Sequence, residues 1–182
     1  MSLNITDYFE VMQTRDFLRT NQYRVAALTY KGISLTEQDL VYLRTADIPS
    51  RTIQSVDVPY MGLNFKVPGT AQYQGTMALN FYCDQPQIIR GLFEQMSFTA
   101  FDDDISGGQY TVAGSDILTF RTFNQTSPQS TTTAYSLIGI FPTEVGTIQM
   151  DTTSNGQVAM FTATIAYQYW RKTTGGASSA FE

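Results

Sequence analysis

Histidine is absent from this 182-residue chain, and cysteine occurs once, as Cys83. Catalytic triads and dyads that use histidine as a base, and metal centres with histidine ligands, are therefore excluded within one chain. A chain of this length can bury roughly 70% of its unfolded surface, so it needs neither a disulfide nor a metal to fold. We expect a single domain of ordinary size.

Charge is also scarce, at 15% of residues against roughly 25% in an ordinary soluble protein. Eleven basic residues face sixteen acidic ones, a net charge of −5, and the lysines (Lys31, Lys66 and Lys172) are widely separated. This balance argues against a nucleic-acid-binding protein, which needs a basic patch to displace phosphate counterions. The surface is therefore expected to carry Thr, Ser, Gln and Asn, or to be covered by other protein.

Long apolar runs are missing as well. No run approaches the roughly 20 residues of a membrane span, and residues 1–7 lack the basic and apolar regions of a signal peptide. We therefore expect no membrane association. The single thiol fits synthesis in a reducing cytoplasm.

Aromatic residues are plentiful, with 12 Phe and 11 Tyr, and they favour β-strands. The clearest strand runs over 157–171, QVAMFTATIAYQYWR. Neither of its alternating faces is purely polar, so both faces are expected to contact protein. The pair Asn155-Gly156 before it is typical of a tight turn between antiparallel strands, which predicts 146–152 as the partner strand.

Further strands are predicted over 22–30, 51–58, 74–84, 115–124 and 132–141, the last of which stops at Pro142. Segment 36–43 fits either a helical turn or the start of a strand. A helix is predicted over 86–98, with Asp84 as N-cap and Pro86 in the first turn. Its apolar residues recur at the spacing of a stripe that packs on a sheet: Ile89, Leu92, Phe93 and Met96.

A second helix is predicted over 5–18, with Thr6 as its cap. The Gly- and Ser-rich residues 173–182 are predicted to form a flexible tail.

Candidate chemistry is sparse. The aspartates at 102–104 lack the alternate spacing, glycine and distal glutamate of a calcium loop, so a solvated loop is predicted. Cys83 on the apolar face of a strand predicts an inert thiol. The sequence therefore predicts no catalytic residue, metal ligand or cofactor. Two alternatives stay open: Trp170 and nearby tyrosines could stack on a glycan, and remote carboxylates could pair for hydrolysis.

The C-terminal half carries an ordered series of motifs. Residues 139–151, GIFPTEVGTIQMD, are followed after a short turn by 161–170, FTATIAYQYW. A strand ending in Phe-Pro, a Val-Gly pair, an aspartate-containing strand and a last strand closing on Tyr-Trp together resemble the tail tube protein family of contractile-tailed bacteriophages. Upstream segments follow in the family's order, so that the resemblance covers roughly 22–171: Ile48-Pro49, Val58-Pro59-Tyr60, Lys66-Val67-Pro68-Gly69 and the helix at 86–98.

The resemblance implies a mainly β (α+β) fold, a two-sheet antiparallel β-barrel-like or sandwich domain with one flanking helix. It divides the chain into an N-terminal arm with a short helix (1–21), a tail-tube domain (22–172) and the flexible tail (173–182). Subunits of this family form hexameric rings that stack into a tube inside a contractile sheath. The expected protein is a non-enzymatic virion component, assembled in the host cytoplasm, through which DNA passes as cargo and not as a ligand.

The implied partners are further copies in a homo-hexamer, the tail sheath protein, the baseplate or tube initiator, the tape measure and the tail terminator. Segment 46–70 is the implied ring-to-ring loop or hairpin, stiffened by prolines. Its expected contact residues are Pro49, Arg51, Pro59, Tyr60, Lys66 and Pro68. Because negative charge repels phosphate, some carboxylates are expected to face the lumen, among Asp57, Asp84, Asp116, Glu144 and Asp151.

Two other functions remain open beside the phage tube. One is a monomeric β-sandwich module that binds glycans. The other is the inner tube of a non-viral contractile injection system, since related tubes occur in such machines.

Overall fold

The computed structural model describes residues 4–14, 18–104, 107–108, 116–123, 131–151, 153 and 156–174. Within them the helices are α1 (Ile5–Thr14) and α2 (Ile88–Ala100), with a 3-10 turn at Asp39–Tyr42. The first strands are β1 (Tyr23–Tyr30), β2 (Ile33–Leu35), β3 (Leu43–Ala46), β4 (Arg51–Tyr60), β5 (Leu63–Tyr73) and β6 (Thr76–Tyr82). The remaining strands are β7 (Phe101–Asp102), β8 (Gly107–Gly108), β9 (Ile117–Phe123), β10 (Thr131–Ile138), β11 (Phe141–Val145), β12 (Met160–Ala166) and β13 (Tyr169–Thr174).

Two antiparallel sheets form the body of the domain. One has five strands in the order β13-β10-β9-β1-β2, and the other has four in the order β11-β12-β6-β3. Alternate residues of their strands point inward, so that Leu79, Phe81, Leu118, Phe120, Phe161 and Ile165 are buried between them. The expected two-sheet fold is confirmed. Among the described residues the sheets do not close into a barrel, so "sandwich" describes the fold and "barrel" does not.

Helix α2 is the predicted flanking helix, displaced by two residues. Ile89, Phe93 and Met96 are buried, and the Phe93 ring lies 5.4 Å from that of Phe81. The helix starts at Ile88 and not at residue 86, because Gln87 has a left-handed backbone (φ 54°) that ends the preceding turn. The N-cap residue is therefore Gln87 and not the predicted Asp84. The Asp84 carboxylate still accepts the Ile88 N–H at 3.0 Å, so it stabilises the start of the helix from outside the cap position.

Helix α1 has a different cap from the predicted one. It is described over Ile5–Thr14, and residues 15–17 of the predicted span lie outside the described residues. Asn4, and not Thr6, begins it: the Asn4 Oδ1 accepts the Ile5 N–H at 2.8 Å, and the Asp7 carboxylate accepts the Asn4 N–H at 3.0 Å. This reciprocal pair satisfies donors that a helix start leaves open.

The predicted long strand over 157–171 is wrong, because the chain changes sheets within it. Strand β12 ends at Ala166 in the four-stranded sheet, and β13 begins at Tyr169 in the five-stranded sheet. At the crossing, the Tyr167 N–H donates to the Gly75 carbonyl (2.9 Å) and the Gln168 N–H to the Ile138 carbonyl (3.0 Å). These two hydrogen bonds fix the position at which the chain leaves the four-stranded sheet and enters the five-stranded sheet.

The partner strand of β12 also differs from the prediction. Residues 146–151 form no strand, and β11 pairs with β12 instead. Pro142 does not end a strand as predicted. It lies inside β11, an edge strand where a missing backbone N–H is tolerated. The predicted turn residue Asn155, and the predicted tail beyond Thr174, lie outside the described residues.

Segment 36–43 contains both of the structures that its pattern allowed. The Asp39 carboxylate accepts the Thr36 N–H (2.8 Å) and hydroxyl (2.7 Å) and starts the 3-10 turn. The turn ends at Tyr42, and Leu43 adopts the extended backbone of β3.

Candidate assembly surface

A two-stranded hairpin, β4-β5, stands apart from both main sheets. Met61 and Gly62 form its tip with positive φ angles of 49° and 79°, the backbone of a tight turn that continues the twist of the strands. Every residue over 51–72 is exposed. The hairpin therefore contributes almost nothing to the core of the subunit.

The register of the hairpin separates its side chains into two different faces. Val56 pairs with Val67, Val58 with Phe65 and Tyr60 with Leu63, all on one side. These six residues, the apolar hairpin face, are between 44% and 63% exposed. The opposite side pairs Asp57 with Lys66 through a 3.1 Å salt bridge, flanked by Pro59 opposite Asn64 and Ser55 opposite Pro68. The side with the Asp57–Lys66 pair is therefore polar, whereas the apolar hairpin face remains largely exposed to solvent.

The root of the hairpin is fixed to the sandwich by an aromatic cluster. The Trp170 ring makes edge contacts with Tyr73 (6.2 Å) and Tyr135 (5.6 Å), and its indole N–H donates to the Ser50 carbonyl at 3.1 Å. The Arg51 guanidinium lies over the Tyr73 ring at 5.8 Å. A rooted hairpin loses less conformational entropy when it binds.

The residues expected to make contacts between rings fall in different places. Tyr60 lies on the apolar hairpin face, and the polar side holds Pro59, Lys66 and Pro68. Arg51 lies at the root. Pro49 is buried within the subunit, so its expected role as a direct contact is wrong. The expectation omitted Val56, Val58, Leu63, Phe65 and Val67, although their alternation on both sides of Met61-Gly62 is visible in the sequence.

A second surface of interest is the outer face of the four-stranded sheet, which is nearly uncharged at its centre. The Asn80 side chain donates to the Thr45 hydroxyl and accepts the Thr162 hydroxyl proton, which links three strands. Glu144 lies at one edge, directly across from Thr164. The centre of this face therefore carries short, neutral hydroxyl and amide groups.

The five carboxylates expected at a lumen are in unlike environments. Asp116 is 0% exposed and accepts the Lys31 N–H at 2.8 Å, so the expectation that it faces a lumen is wrong. Asp84 is half-buried at the start of α2, and Asp57 is paired on the hairpin. These three carboxylates serve structural contacts within the subunit.

Glu144 and Asp151 are exposed, and their lumen placement stays a prediction. Asp151 accepts the Thr153 hydroxyl proton (2.7 Å) and N–H (2.8 Å), and these bonds lower its pKa below the ordinary value. Its charge therefore persists into mildly acidic solution.

In the part of the chain that the structure describes, no group of three or more Cys, Asp or Glu side chains is placed to hold a metal. The half-buried Cys83 thiol donates to the Asp84 carbonyl at 3.5 Å. Neither described helix is both long enough and apolar enough to cross a bilayer.

Comparison with known proteins gives consistent findings. A family model described as "Phage tail tube protein" matches residues 6–173. The tail tube protein gp19 of Enterobacteria phage T4 is 23% identical over 168 residues, which cover 91% of this chain and 98% of the relative. The corresponding protein of Enterobacteria phage T6 is 22% identical over the same shares of both chains.

Two solved structures of related assemblies have folds similar to that of this chain. The tube-terminating cap of the anti-feeding prophage superposes with a TM-score of 0.63 at 13% identity, over 88% of this chain and 93% of that chain. A chain of the sheath-tube complex of the extracellular contractile injection system PVC gives 0.63 at 12% identity, over 91% and 97%. At this identity the two structures show a shared fold.

Proposed function

Because this chain belongs to the phage tail tube protein family, and so is a structural tube subunit, we propose that six copies close into a ring and that rings stack into the inner tube of a contractile tail. The observation that carries this proposal is the apolar hairpin face, with six exposed apolar side chains on a rigid projection. Monomeric proteins rarely leave such a continuous patch uncovered.

The hairpin supplies the contact between rings. Its apolar face packs against a neighbouring copy, while the side with the Asp57–Lys66 pair stays in contact with water. Its fixed root at Trp170 keeps the ordering cost of docking low. Within a ring, the open edges of the two sheets, at β11, β3, β13 and β2, offer unpaired backbone groups to adjacent copies.

The outer face of the four-stranded sheet lines the lumen in this proposal. Its central hydroxyl and amide groups are neutral and offer no charge for phosphate to bind. The one cation placed against this face among the described contacts, Arg44, lies at its end, on the Met160 sulfur at 3.0 Å. Glu144 adds negative charge at the edge of that face. Tubes carrying Glu144→Lys should therefore retain DNA in a pelleting assay at low salt, and Glu144→Gln tubes should retain none.

The partners of the tube follow from its relatives. Two similar structures come from a sheath-tube complex and a sheath/tube terminator assembly of the PVC injection system. We extend this to binding of a tail sheath protein and a tail terminator by the present subunit. A tube initiator and a tape measure protein complete the implied set, and no catalytic role is proposed.

A glycan-binding monomer is less well supported. The candidate platform, Trp170, is already engaged by two tyrosines and the Ser50 carbonyl. The inner tube of a non-viral injection system has better support, since structures from two such systems share the fold. The sequence relatives are tail tube proteins of phages, which favours the phage tube.

Negative-stain microscopy and native mass spectrometry test the proposal. The purified full chain should form hexameric rings or tubes, and a strict monomer at high concentration would refute the function. Replacing residues 52–72 by Asn-Gly should leave folded subunits or single rings that do not stack. Normal tubes from that variant would refute the role of the hairpin. A control with Asp57→Asn and Lys66→Gln, both on the hydrated face, should form normal tubes.

A further inference from the structure

Helix α1 carries an apolar stripe that the single chain leaves uncovered. Ile5, Tyr8, Phe9 and Met12 recur at the i, i+3, i+4, i+7 spacing of one helix face. The first three of these side chains are between 54% and 68% exposed. A helix of ten residues is too short to be stable in water by itself, so its stability depends on packing of this stripe.

A groove of about 990 Å³ opens between β1, β3, β9 and residues 18–22. Its floor consists of the buried side chains Val25, Leu40 and Phe120. Tyr23 stacks on Phe120 at 5.6 Å and donates its hydroxyl to the Arg44 carbonyl. The apolar rim residues Leu18, Val41 and Ile48 are exposed, so the groove is open and has an apolar border.

The charges of the helix and the groove are complementary. Residues 4–14 carry Asp7 and Glu10 and no basic residue. The groove is lined by three arginines, Arg19, Arg24 and Arg44, and one acidic residue, Asp47. Arg24 is paired with Glu37 at 2.6 Å, whereas Arg19 and Arg44 form no salt bridge with another described residue. An acidic amphipathic helix therefore fits this groove in charge as well as in polarity.

We propose that α1 of one copy docks into this groove of a neighbouring copy, with its apolar stripe on the floor and its two acidic residues at the mouth of the groove, where the net positive charge of the lining attracts them. We assign the helix to another copy because, within the single chain, the apolar stripe of α1 is exposed and the groove is unfilled. This holds even though Thr14, in α1, is only four positions from the rim residue Leu18. This inference rests on the proposed function, since it requires adjacent copies.

The groove also borders the start of the hairpin, because Ala46, Asp47 and Ile48 lead directly into β4. Docking of α1 would thus extend the surface that the hairpin forms with neighbouring copies. A second, separate contact per subunit would strengthen assembly by avidity without enlarging the hairpin contact.

Disulfide trapping between two differently substituted chains tests the inference. In a Cys83→Ser background, full-length Tyr8→Cys protein is mixed with full-length Val41→Cys protein under assembly conditions and mildly oxidised. Both positions are exposed, so neither change disturbs the core. We expect a cross-linked heterodimer about tenfold above the control pair, because docking raises the local thiol concentration.

The matched control is Thr6→Cys with Val41→Cys, since residues two apart on a helix point to different sides. A Phe9→Ser variant without added cysteines should raise the critical concentration for assembly by about tenfold.

Three outcomes would overturn the inference. Rings or tubes that form without the Tyr8–Val41 cross-link overturn it and leave the proposed function standing. A double Tyr8→Cys/Val41→Cys chain that closes only on itself, independent of dilution, also overturns it, because α1 then occupies its own groove. A chain that remains monomeric without a cross-link overturns both the inference and the proposed function.

Discussion

Phe65→Ser isolates the apolar hairpin face at a single side chain. Phe65 lies opposite Val58 and is 51% exposed, so about half of its surface remains to be covered by a neighbouring copy. Burying a whole Phe side chain is worth roughly 1.5–3 kcal/mol, which leaves about 1 kcal/mol for the contact. At room temperature this corresponds to an association weakened about fivefold at each hairpin contact.

The same substitution should hardly change the subunit itself, because the hairpin lies outside the two-sheet core. We expect the free energy of unfolding to stay within about 0.5 kcal/mol of the parent, the usual range for surface changes. The critical concentration for assembly is measured by sedimentation and the unfolding free energy by urea titration of the unassembled subunit.

The control is Asn64→Ser, the adjacent residue on the hydrated side of the hairpin, which should leave both quantities unchanged. Equal effects of the two substitutions on assembly would show that the two faces do not differ in function. A Phe65→Ser chain that assembles normally but unfolds at lower urea would show that the ring is already buried within the subunit. Either result would refute the reasoning.

Three further substitutions test the fold. Gly91→Ala should stabilise the subunit by about 0.5–1 kcal/mol, because it lies inside α2 and an added Cβ meets no atom within 4 Å. Gly146→Ala should destabilise it by about 1–3 kcal/mol, because its Cβ would lie 2.7 Å from the Thr162 carbonyl oxygen. The urea midpoint should therefore be higher than the parent's for Gly91→Ala and lower for Gly146→Ala, and the reverse order would contradict both predictions. Burial, followed by the nearby Asp116 carboxylate, raises the pKa of Tyr30 above 10.0. Tyr30 in the unfolded chain therefore ionises at lower pH than in the folded subunit, so the free energy of unfolding falls above about pH 10. Tyr30→Phe should reduce this fall, measured by urea denaturation at about pH 8 and about pH 11. An equal fall in the variant would show that other groups cause it.

The local parts of the fold are those that sequence could predict. The stripe Ile89, Phe93, Met96 and the inward alternation of Met77, Leu79 and Phe81 follow from the periods of a helix and a strand, and all six are buried. The crossing at Tyr167 was not predictable in this way, because the alternation of 157–171 continues through it without a proline or glycine. The two bonds that fix the crossing come from Gly75 and Ile138, far away in sequence.

In the candidate site, too, local features follow from the sequence and features that depend on tertiary contacts do not. Pairing of Val58 with Phe65 across the Met61-Gly62 tip depends only on local alternation and turn geometry, so sequence could have predicted the apolar hairpin face. The burial of Asp116 depends on tertiary contacts, since its carboxylate accepts the backbone N–H of Lys31, 85 residues away. A strand-flanking aspartate looks the same in sequence whether it is a buried hydrogen-bond acceptor or a surface charge.

The apolar side chains of the core and those of the proposed assembly surfaces are different sets in this subunit. The core closes with residues such as Leu79, Phe81, Phe120 and Ile165, all nearly inaccessible to solvent in the single chain. The apolar hairpin face, the stripe of α1 and the rim of the groove add nothing to that core, yet they keep their hydrophobic character. A subunit built this way can fold before it meets other copies and keep the hydrophobic free energy of its exposed faces for association. In the proposed assembly the low charge content follows, because faces covered by another copy gain nothing from ionised side chains that must be desolvated on contact.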